Sequence, residues 1–158
     1  MRRISAEPVG AEAFAPFGAL IEAGDSATTI AGRPGSRTVI ERKTVPAAER
    51  DPHLVETLER HPSDSQAFLP LDRGAYLVVV CPDDAMGGPD VARARAFAVP
   101  GSMAIQYHPA IWHAGMSGLA RPVEMAIVMD RDFSAGDCEF RSIADTPIGI
   151  VLNAEAEG

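Results

Sequence analysis

Turn-forming residues interrupt this sequence at short intervals, and this spacing restricts its fold more than any other feature. Glycine and proline cluster in stretches such as "AGRPGSR" and "CPDDAMGGPD", where a chain readily reverses direction. Runs of strand length lie between such stretches, namely "AYLVVVC", "MAIQY" and "VEMAIVMD". Many short strands separated by turns are typical of antiparallel sandwiches and barrels. The sequence therefore predicts an all-β-dominated fold.

Helical signal is confined to two short segments. "GAEAFAPFGAL" predicts one short helix near the N-terminus. "PAAERDPHLVETLER" could hold a second helix, although Pro52 interrupts it because proline cannot donate the backbone hydrogen bond of a helix interior. We therefore expect one or two short helices beside the strands.

The stretch "LVETLERHP" has both a helical and an extended interpretation. Side chains of a strand alternate between two faces, and one face of such a strand would carry Val55, Thr57, Glu59 and His61. In a helix, the residues that share a face would instead be Leu54, Val55 and Leu58. In the extended interpretation the turn Pro62–Ser65 reverses the chain, and Gln66 begins the partner strand, where it could face the same space as Glu59 and His61.

Length and charge restrict the class of protein. The 158 residues suit a single domain spanning 1–158, with a polar tail at about 153–158 that we expect to fray. The net charge is −8 and no basic cluster is present, so nucleic acid is a poor partner. The longest apolar run, "YLVVVC", is far too short to span a bilayer, and we expect no membrane partner.

Cysteine usage indicates the compartment. Cys81 and Cys138 do not form a CxxC pair, and the N-terminal stretch "MRRISAEPVGAEAFAPFG" has no apolar core of a signal peptide. We expect two reduced thiols in a cytoplasmic protein. No base lies near Cys138 in the sequence, so we interpret it as a packing residue.

Histidines concentrate in two polar stretches that contain turns, "ERHPSDSQAF" and "PGSMAIQYHPAIWHAG". The first contains His61, and the second contains His108 and His113 on either side of a turn at Pro109. Such side chains can bind a metal or move protons. A turn histidine with a satisfied hydrogen bond is an equally good interpretation of His61 on the sequence pattern alone.

The first stretch resembles the first cupin motif, H-x-H followed after three or four residues by Glu. Here Glu59-x-His61 is followed after four residues by Gln66, and His113 corresponds to the histidine of the second cupin motif. The resemblance therefore implies a metal site formed by Glu59, His61, Gln66 and His113. A mixed set of nitrogen and oxygen ligands suits a borderline divalent ion such as nickel or zinc.

A narrower resemblance covers nearly the whole chain. "LERHPSDSQAFLPL", "YHPAIWHAGM" and "MDRDFSAGDCEFRSI" are similar, in order and spacing, to three segments of the ureidoglycolate lyase family. This resemblance implies a cupin-type antiparallel β-barrel or jelly roll that cleaves ureidoglycolate to glyoxylate and urea in allantoin degradation. It also implies a divalent metal, with nickel favoured and manganese or zinc as alternatives, and a homodimer. The sequence departs from the family at "TIAGRPGSR", where Ala31 replaces an asparagine.

The implied reaction assigns roles to particular residues. A base must take the hydroxyl proton of ureidoglycolate and an acid must protonate the leaving nitrogen; the candidates are His113, His61 and, as a second choice, His108. An arginine suits the substrate carboxylate, and either Arg33 or Arg37 could provide it, with Arg37 as our choice. Further candidates for substrate binding are Tyr107, Trp112 and Gln66, although Trp112 also suits the core.

Two other functions remain open at this stage. The altered "TIAGRPGSR" stretch favours another cupin enzyme that acts on a related hydroxy acid. Glutamate and glutamine in place of the usual metal ligands favour a non-catalytic cupin that binds carboxylates.

Overall fold

The computed structural model describes residues 1–30, 33–48 and 51–152. These residues form two β-sheets, one α-helix, α1 (Ala11–Phe14), and one 3₁₀-helix (Val91–Arg93). Ala31 and the tail 153–158 lie outside the described residues. The strands are β1 (Arg2–Pro8), β2 (Gly18–Ile21), β3 (Arg37–Val45), β4 (His53–Val55), β5 (Thr57–Arg60), β6 (Gln66–Pro70), β7 (Tyr76–Cys81), β8 (Arg95–Val99), β9 (Ala104–Tyr107), β10 (Trp112–His113), β11 (Ser117–Gly118), β12 (Val123–Arg131), β13 (Glu139–Ser142) and β14 (Ile148–Val151).

The larger sheet has the strand order β13-β5-β10-β7-β8-β1-β14-β4, with β11 paired to β7 as well. The smaller sheet has the order β2-β9-β6-β12-β3. Parallel pairing joins β1 to β14 and to β8, while the other named strand pairs are antiparallel. Both sheets curl into a half-barrel, which confirms the prediction of an all-β, cupin-like fold.

Both faces of the larger sheet are buried at β7, which explains the continuous apolar run of this strand. Tyr76, Val78 and Val80 pack into the core between the sheets together with Phe14 and Phe97. The intervening residues of β7 pack into a second core cluster on the other face, and these are Leu77, Val79 and Cys81. A strand that is covered on both sides loses the alternation of polar and apolar residues.

The N-terminal helix forms as predicted, although it is only one turn long. Phe14 of α1 is fully buried, and its ring contacts that of Phe97 edge to face with centroids 5.5 Å apart. The short helix therefore anchors the first loop to the core between the sheets. None of the helices in the described ranges has the length and apolar character needed to cross a membrane.

The stretch "LVETLERHP" is extended, so the second helix that we considered there is wrong. The prediction that Val55 shares a face with Glu59 is also wrong. Val55 lies in β4 and Glu59 in β5, and these two strands are separated by Glu56 and pair with different neighbours. Val55 in β4 pairs with β14 and packs in the same core cluster as Leu58, whereas β5 pairs with β10 and β13. Glu59 and His61 do line one cavity, as the alternation within β5 predicts.

The turn Pro62–Ser65 does not close a hairpin, which corrects a further expectation. Gln66 begins β6, and β6 belongs to the smaller sheet while β5 belongs to the larger one. The chain thus crosses from one sheet to the other between His61 and Gln66. The Ser65 hydroxyl supports this crossing because it accepts hydrogen bonds from the Ile30 amide at 2.7 Å and from Gln106 at 3.1 Å. Residues on both sides of the turn therefore face each other across the cavity.

Candidate active site

A cavity of about 330 Å³ opens between the two sheets. The larger sheet and the residues next to its strands contribute Glu59, His61 and Cys138 to its lining. The smaller sheet contributes the polar residues Glu41, Lys43, Gln66 and Arg131. Acidic, basic and neutral polar groups are therefore gathered in a space that suits a small molecule.

His61 and His113 are both buried, and a backbone carbonyl fixes the tautomer of each ring. His61 Nδ1 lies 3.0 Å from the Asp137 carbonyl oxygen, and His113 Nδ1 lies 2.9 Å from the Ile111 carbonyl oxygen. Because a carbonyl can only accept, each neutral ring carries its proton on Nδ1 and a free electron pair on Nε2. Neither Nε2 atom has a hydrogen-bond partner among the described residues.

Burial keeps His113 neutral near physiological pH. Desolvation lowers the pKa of His113 to about 4 and outweighs the opposing effect of the nearby Glu59 carboxylate. Tyr107 stacks on the His113 ring at a centroid distance of 4.4 Å. Tyr107 is itself fully buried, and burial raises the pKa of its hydroxyl. The aromatic contact and the carbonyl hydrogen bond together hold the imidazole in one orientation.

Glu59 lies between the histidine and cysteine side chains. It is directly opposite His113 in the pairing of β5 with β10, and its Oε1 is 3.7 Å from His113 Nε2. Its Oε2 accepts a hydrogen bond from Cys138 Sγ at 3.5 Å. Potential ligand atoms of Glu59, His61 and Cys138 all lie within 4.8 Å of one another.

The chemistry of this group fits a divalent metal ion. His61 Nε2 and Gln66 Oε1 are buried acceptors without a partner among the described residues, and burial of an unpaired polar atom costs roughly 1–3 kcal/mol. A cation would satisfy both atoms and would neutralise the Glu59 carboxylate. Imidazole, carboxylate and thiol ligands suit zinc, nickel or cobalt better than a hard ion.

The opposite wall of the cavity carries two positive charges around one carboxylate. Lys43 Nζ and Arg131 Nη1 each lie 3.3 Å from an oxygen of Glu41. Arg131 is also positioned by Phe133, whose ring centroid is 4.8 Å from the guanidinium carbon. The net positive charge of this wall suits an anionic group of a bound molecule.

Comparison with known proteins identifies the family of the chain. A family model described as "Ureidoglycolate lyase" matches residues 33–150. The chain belongs to the ureidoglycolate lyase family. Proteins named ureidoglycolate lyase from Stutzerimonas stutzeri and Pseudomonas aeruginosa are 35% and 32% identical to it, and each alignment covers 88% of this chain and 89% of the relative. The relative of the same name from Pseudomonas entomophila is 34% identical, over 88% of this chain and 90% of its own length.

The structure places three of the four metal ligands implied by the cupin resemblance in the cavity lining, namely Glu59, His61 and Gln66. It places the fourth, His113, behind this lining, with its Nε2 3.7 Å from Glu59 Oε1. It does not bring His108 to the cavity: His108 is exposed, and its Nε2 donates to the Ala15 carbonyl.

Three of the sequence-predicted substrate residues, Trp112, Tyr107 and Arg37, also lie outside the cavity lining, whereas the fourth, Gln66, is part of it. Trp112 is fully buried in the second core cluster, with the Arg60 guanidinium 4.4 Å from its ring centroid. Tyr107 reaches the site only through its stacking on His113. Arg37 is exposed at the start of β3, where it pairs with Arg131 in the register of the sheet. Arg131 lines the cavity, whereas Arg37 does not.

Sequence reasoning missed the cavity residues Cys138, Lys43 and Arg131. A signal for two of them was present, because the "MDRDFSAGDCEFRSI" segment contains both Arg131 and Cys138. Lys43 is the only lysine in the chain and lies on the inward face of β3, which becomes evident only once the pairing of β3 with β12 is known.

Arg33 fixes the loop that carries Cys138 and that holds the His61 ring. Its guanidinium contacts the carboxylates of Asp64, Asp132 and Asp137. The Asp137 carboxylate in turn accepts hydrogen bonds from the backbone amides of Asp132 at 3.1 Å and Phe133 at 2.6 Å. Since the Asp137 carbonyl holds His61, and Cys138 follows directly, Arg33 positions the site without lining it.

We predict that Arg33→Gln lowers the free energy of unfolding by about 1–3 kcal/mol, because it removes charged hydrogen bonds from the buried Asp137. Urea denaturation measures this change. Arg42→Gln is the matched control, since Arg42 is exposed and forms a surface pair with Glu124 that contributes little to stability. Arg33→Lys should restore part of the loss, and equal effects of Arg33→Gln and Arg42→Gln would contradict the positioning role.

Proposed function

We propose that this chain is a ureidoglycolate lyase, which cleaves ureidoglycolate to glyoxylate and urea in allantoin degradation. The observation that carries this proposal is a pair of neighbouring imidazoles whose Nε2 atoms have no hydrogen-bond partner among the described residues. His61 lines the small cavity opposite its positively charged wall, and the His113 ring lies behind it at a centroid distance of 5.8 Å. Family membership supports the same substrate, because the relatives are named ureidoglycolate lyase. A carbon–nitrogen lyase for this substrate needs proton transfer at the reacting carbon and an anchor for the carboxylate that is bonded to that carbon.

The reaction requires one proton to move between two atoms on the same carbon. Ureidoglycolate carries a hydroxyl, a carboxylate and the urea nitrogen on its central carbon. Loss of the hydroxyl proton forms the carbonyl of glyoxylate while the carbon–nitrogen bond breaks and its electron pair goes to nitrogen. Protonation of that nitrogen yields urea. A single side chain could therefore serve first as base and then as acid.

His113 is our candidate for this proton transfer. Its Nε2 has a free electron pair and its ring is held by the Ile111 carbonyl and by Tyr107. Glu59 Oε1, at 3.7 Å, would stabilise the imidazolium that forms when Nε2 accepts the hydroxyl proton. His61 is the alternative base, on the other side of Glu59.

A divalent metal would be held by Glu59 and His61, with Gln66 Oε1 directed at the same cavity. When bound, such an ion supplies Lewis acidity toward the hydroxyl and carboxylate oxygens of the substrate. Nickel is our first choice because the family resemblance implies it, and manganese or zinc are the alternatives.

The substrate carboxylate would be held by Arg131 and Lys43. Arg131 has the planar geometry that binds both oxygens of a carboxylate, and Glu41 keeps both cations on the cavity wall. Gln66 lies across the cavity, where its amide could contact the ureido group.

We further propose a cytoplasmic homodimer. Both cysteines are free thiols, which fits a reducing compartment. Ile40 and Leu69 expose apolar side chains on the outward face of the smaller sheet. An apolar surface of this kind suits a two-fold interface, the commonest assembly of soluble oligomers.

The first prediction of the proposed function concerns the products. The purified protein should release glyoxylate and urea from ureidoglycolate in equal amounts, chelation should remove most of the activity, and nickel should restore it. Colorimetric assays of glyoxylate, urea and ammonia measure this, with substrate alone as the control for spontaneous decay. Ammonia in place of urea would indicate a hydrolase, and binding without turnover in the presence of nickel, manganese or zinc would indicate a carboxylate-binding protein.

The second prediction separates binding from proton transfer. Lys43→Gln and Arg131→Gln should raise KM about 10–100-fold, which corresponds to the roughly 1.5–3 kcal/mol of a hydrogen bond to a charged group. His113→Gln should instead lower kcat about 10²–10⁴-fold, as expected for loss of a general acid–base group. Steady-state kinetics on metal-loaded protein measures both parameters.

Two arginine variants control for the loss of charge in this experiment. Arg42→Gln removes a positive charge from the outer face of β3 and should leave KM within about twofold of the unchanged protein. Arg37→Gln tests the original expectation from the sequence. A larger rise in KM for Arg37→Gln than for Arg131→Gln would overturn the assignment of the carboxylate anchor.

A further inference from the structure

We propose that Cys138 is a thiolate ligand of the metal ion in this cavity, so that the site binds nickel, zinc or cobalt in preference to magnesium or calcium. The inference rests on the proposed metal-binding role of Glu59 and His61. It extends that role, because a sulfur ligand changes which metals the site selects.

Proximity is the first observation. Cys138 Sγ, a Glu59 carboxylate oxygen and a His61 ring nitrogen lie within 4.8 Å of one another. Two ligand atoms bonded to one ion at about 2.0–2.3 Å can be at most about 4.6 Å apart. Small side-chain rotations therefore suffice to bring all three atoms onto one ion.

Unsatisfied acceptors are the second and independent observation. His61 is 8% exposed, its Nδ1 is bonded to the Asp137 carbonyl, and its Nε2 has no partner in the described part of the chain. Gln66 lines the same cavity, and its buried Oε1 also has no partner in that part. A group of buried acceptors that no donor satisfies requires either a cation or water.

The thiol proton gives this site a defined reaction on metal binding. Without metal, Cys138 donates its S–H hydrogen to Glu59 Oε2. Binding of a divalent ion would form one sulfur–metal bond, break the S–H bond and release one proton to solvent, with no change in oxidation state. The same step frees Glu59 Oε2, which the hydrogen bond had occupied, to face the cation.

The loop around Cys138 provides the rigidity that a ligand needs. Asp137, the preceding residue, is held by Arg33 and Arg131 through its carboxylate and holds His61 through its carbonyl. Because one residue connects the His61 ring to the Cys138 backbone, the two candidate ligands are positioned together. Metal sites usually contain such residues, which do not bind the metal themselves but hold its ligands in orientation.

Cys81 offers an internal control. It is fully buried in the second core cluster and does not line the cavity. Burial raises the pKa of both thiols to about 12, so the two cysteines differ in access to the cavity and not in acidity. In the folded protein Cys81 should therefore neither bind metal nor react with an alkylating reagent.

The test uses cobalt(II) bound to the full-length protein. Sulfur bonded to cobalt gives an intense charge-transfer band in the near ultraviolet, which nitrogen and oxygen ligands do not give. The unchanged protein and Cys81→Ala should show this band, and Cys138→Ser should lose it while circular dichroism confirms that the variant is folded. A band that persists in Cys138→Ser, or its absence from unchanged protein with cobalt bound, would overturn the proposal.

A second measurement avoids substitution altogether. Alkylation of Cys138 by iodoacetamide, followed by mass spectrometry, should slow at least tenfold when nickel or zinc saturates the unchanged protein. An unaltered rate would count against thiolate ligation.

The outcome is separable from that of the proposed function. A charge-transfer band without turnover refutes the lyase activity alone, and turnover without the band refutes the cysteine ligand alone.

Discussion

Two hydrogen bonds from imidazoles to backbone carbonyls determine what the cavity can do. The Ile111 carbonyl fixes the His113 ring and the Asp137 carbonyl fixes the His61 ring. Each bond places the ring proton on Nδ1 and directs the free electron pair of Nε2 away from the backbone that holds the ring. Without these two bonds, either ring could rotate and form a hydrogen bond through Nε2, and that nitrogen would no longer be free to bind a metal or accept a proton.

The remainder of the fold keeps these two carbonyls in place. Ile111 lies in the crossing between β9 of the smaller sheet and β10 of the larger sheet. Asp137 lies in the loop between β12 and β13, which also runs from one sheet to the other, and Arg33 fixes this loop from a distant part of the chain. Two connections between the sheets therefore carry the backbone carbonyls that orient the catalytic candidates His61 and His113. Local rigidity at a site is commonly maintained by such a supporting layer of contacts.

The sequence allowed prediction of the features that depend on local pattern. Period-two alternation placed Glu59 and His61 on one face, and turn residues at short intervals indicated an all-β fold. Prediction failed where the answer depends on which strands become partners. Gln66 lies in the opposite sheet from Glu59, and Arg131 replaces Arg37 at the cavity, because strand pairing brings together residues that are distant in sequence. Cys138 was missed for the same reason, since its nearest polar partner, Glu59, lies 79 positions away.

His61 Nε2 and the Glu59 carboxylate are the proposed ligands of one metal site between the sheets. The most direct measurement is anomalous diffraction at the nickel absorption edge, from crystals of the nickel-loaded protein. We predict a single strong anomalous peak in the cavity, within bonding distance of Glu59 and His61. Nickel found only at surface carboxylates, with His61 Nε2 still without a partner or bonded to a protein group, would contradict it.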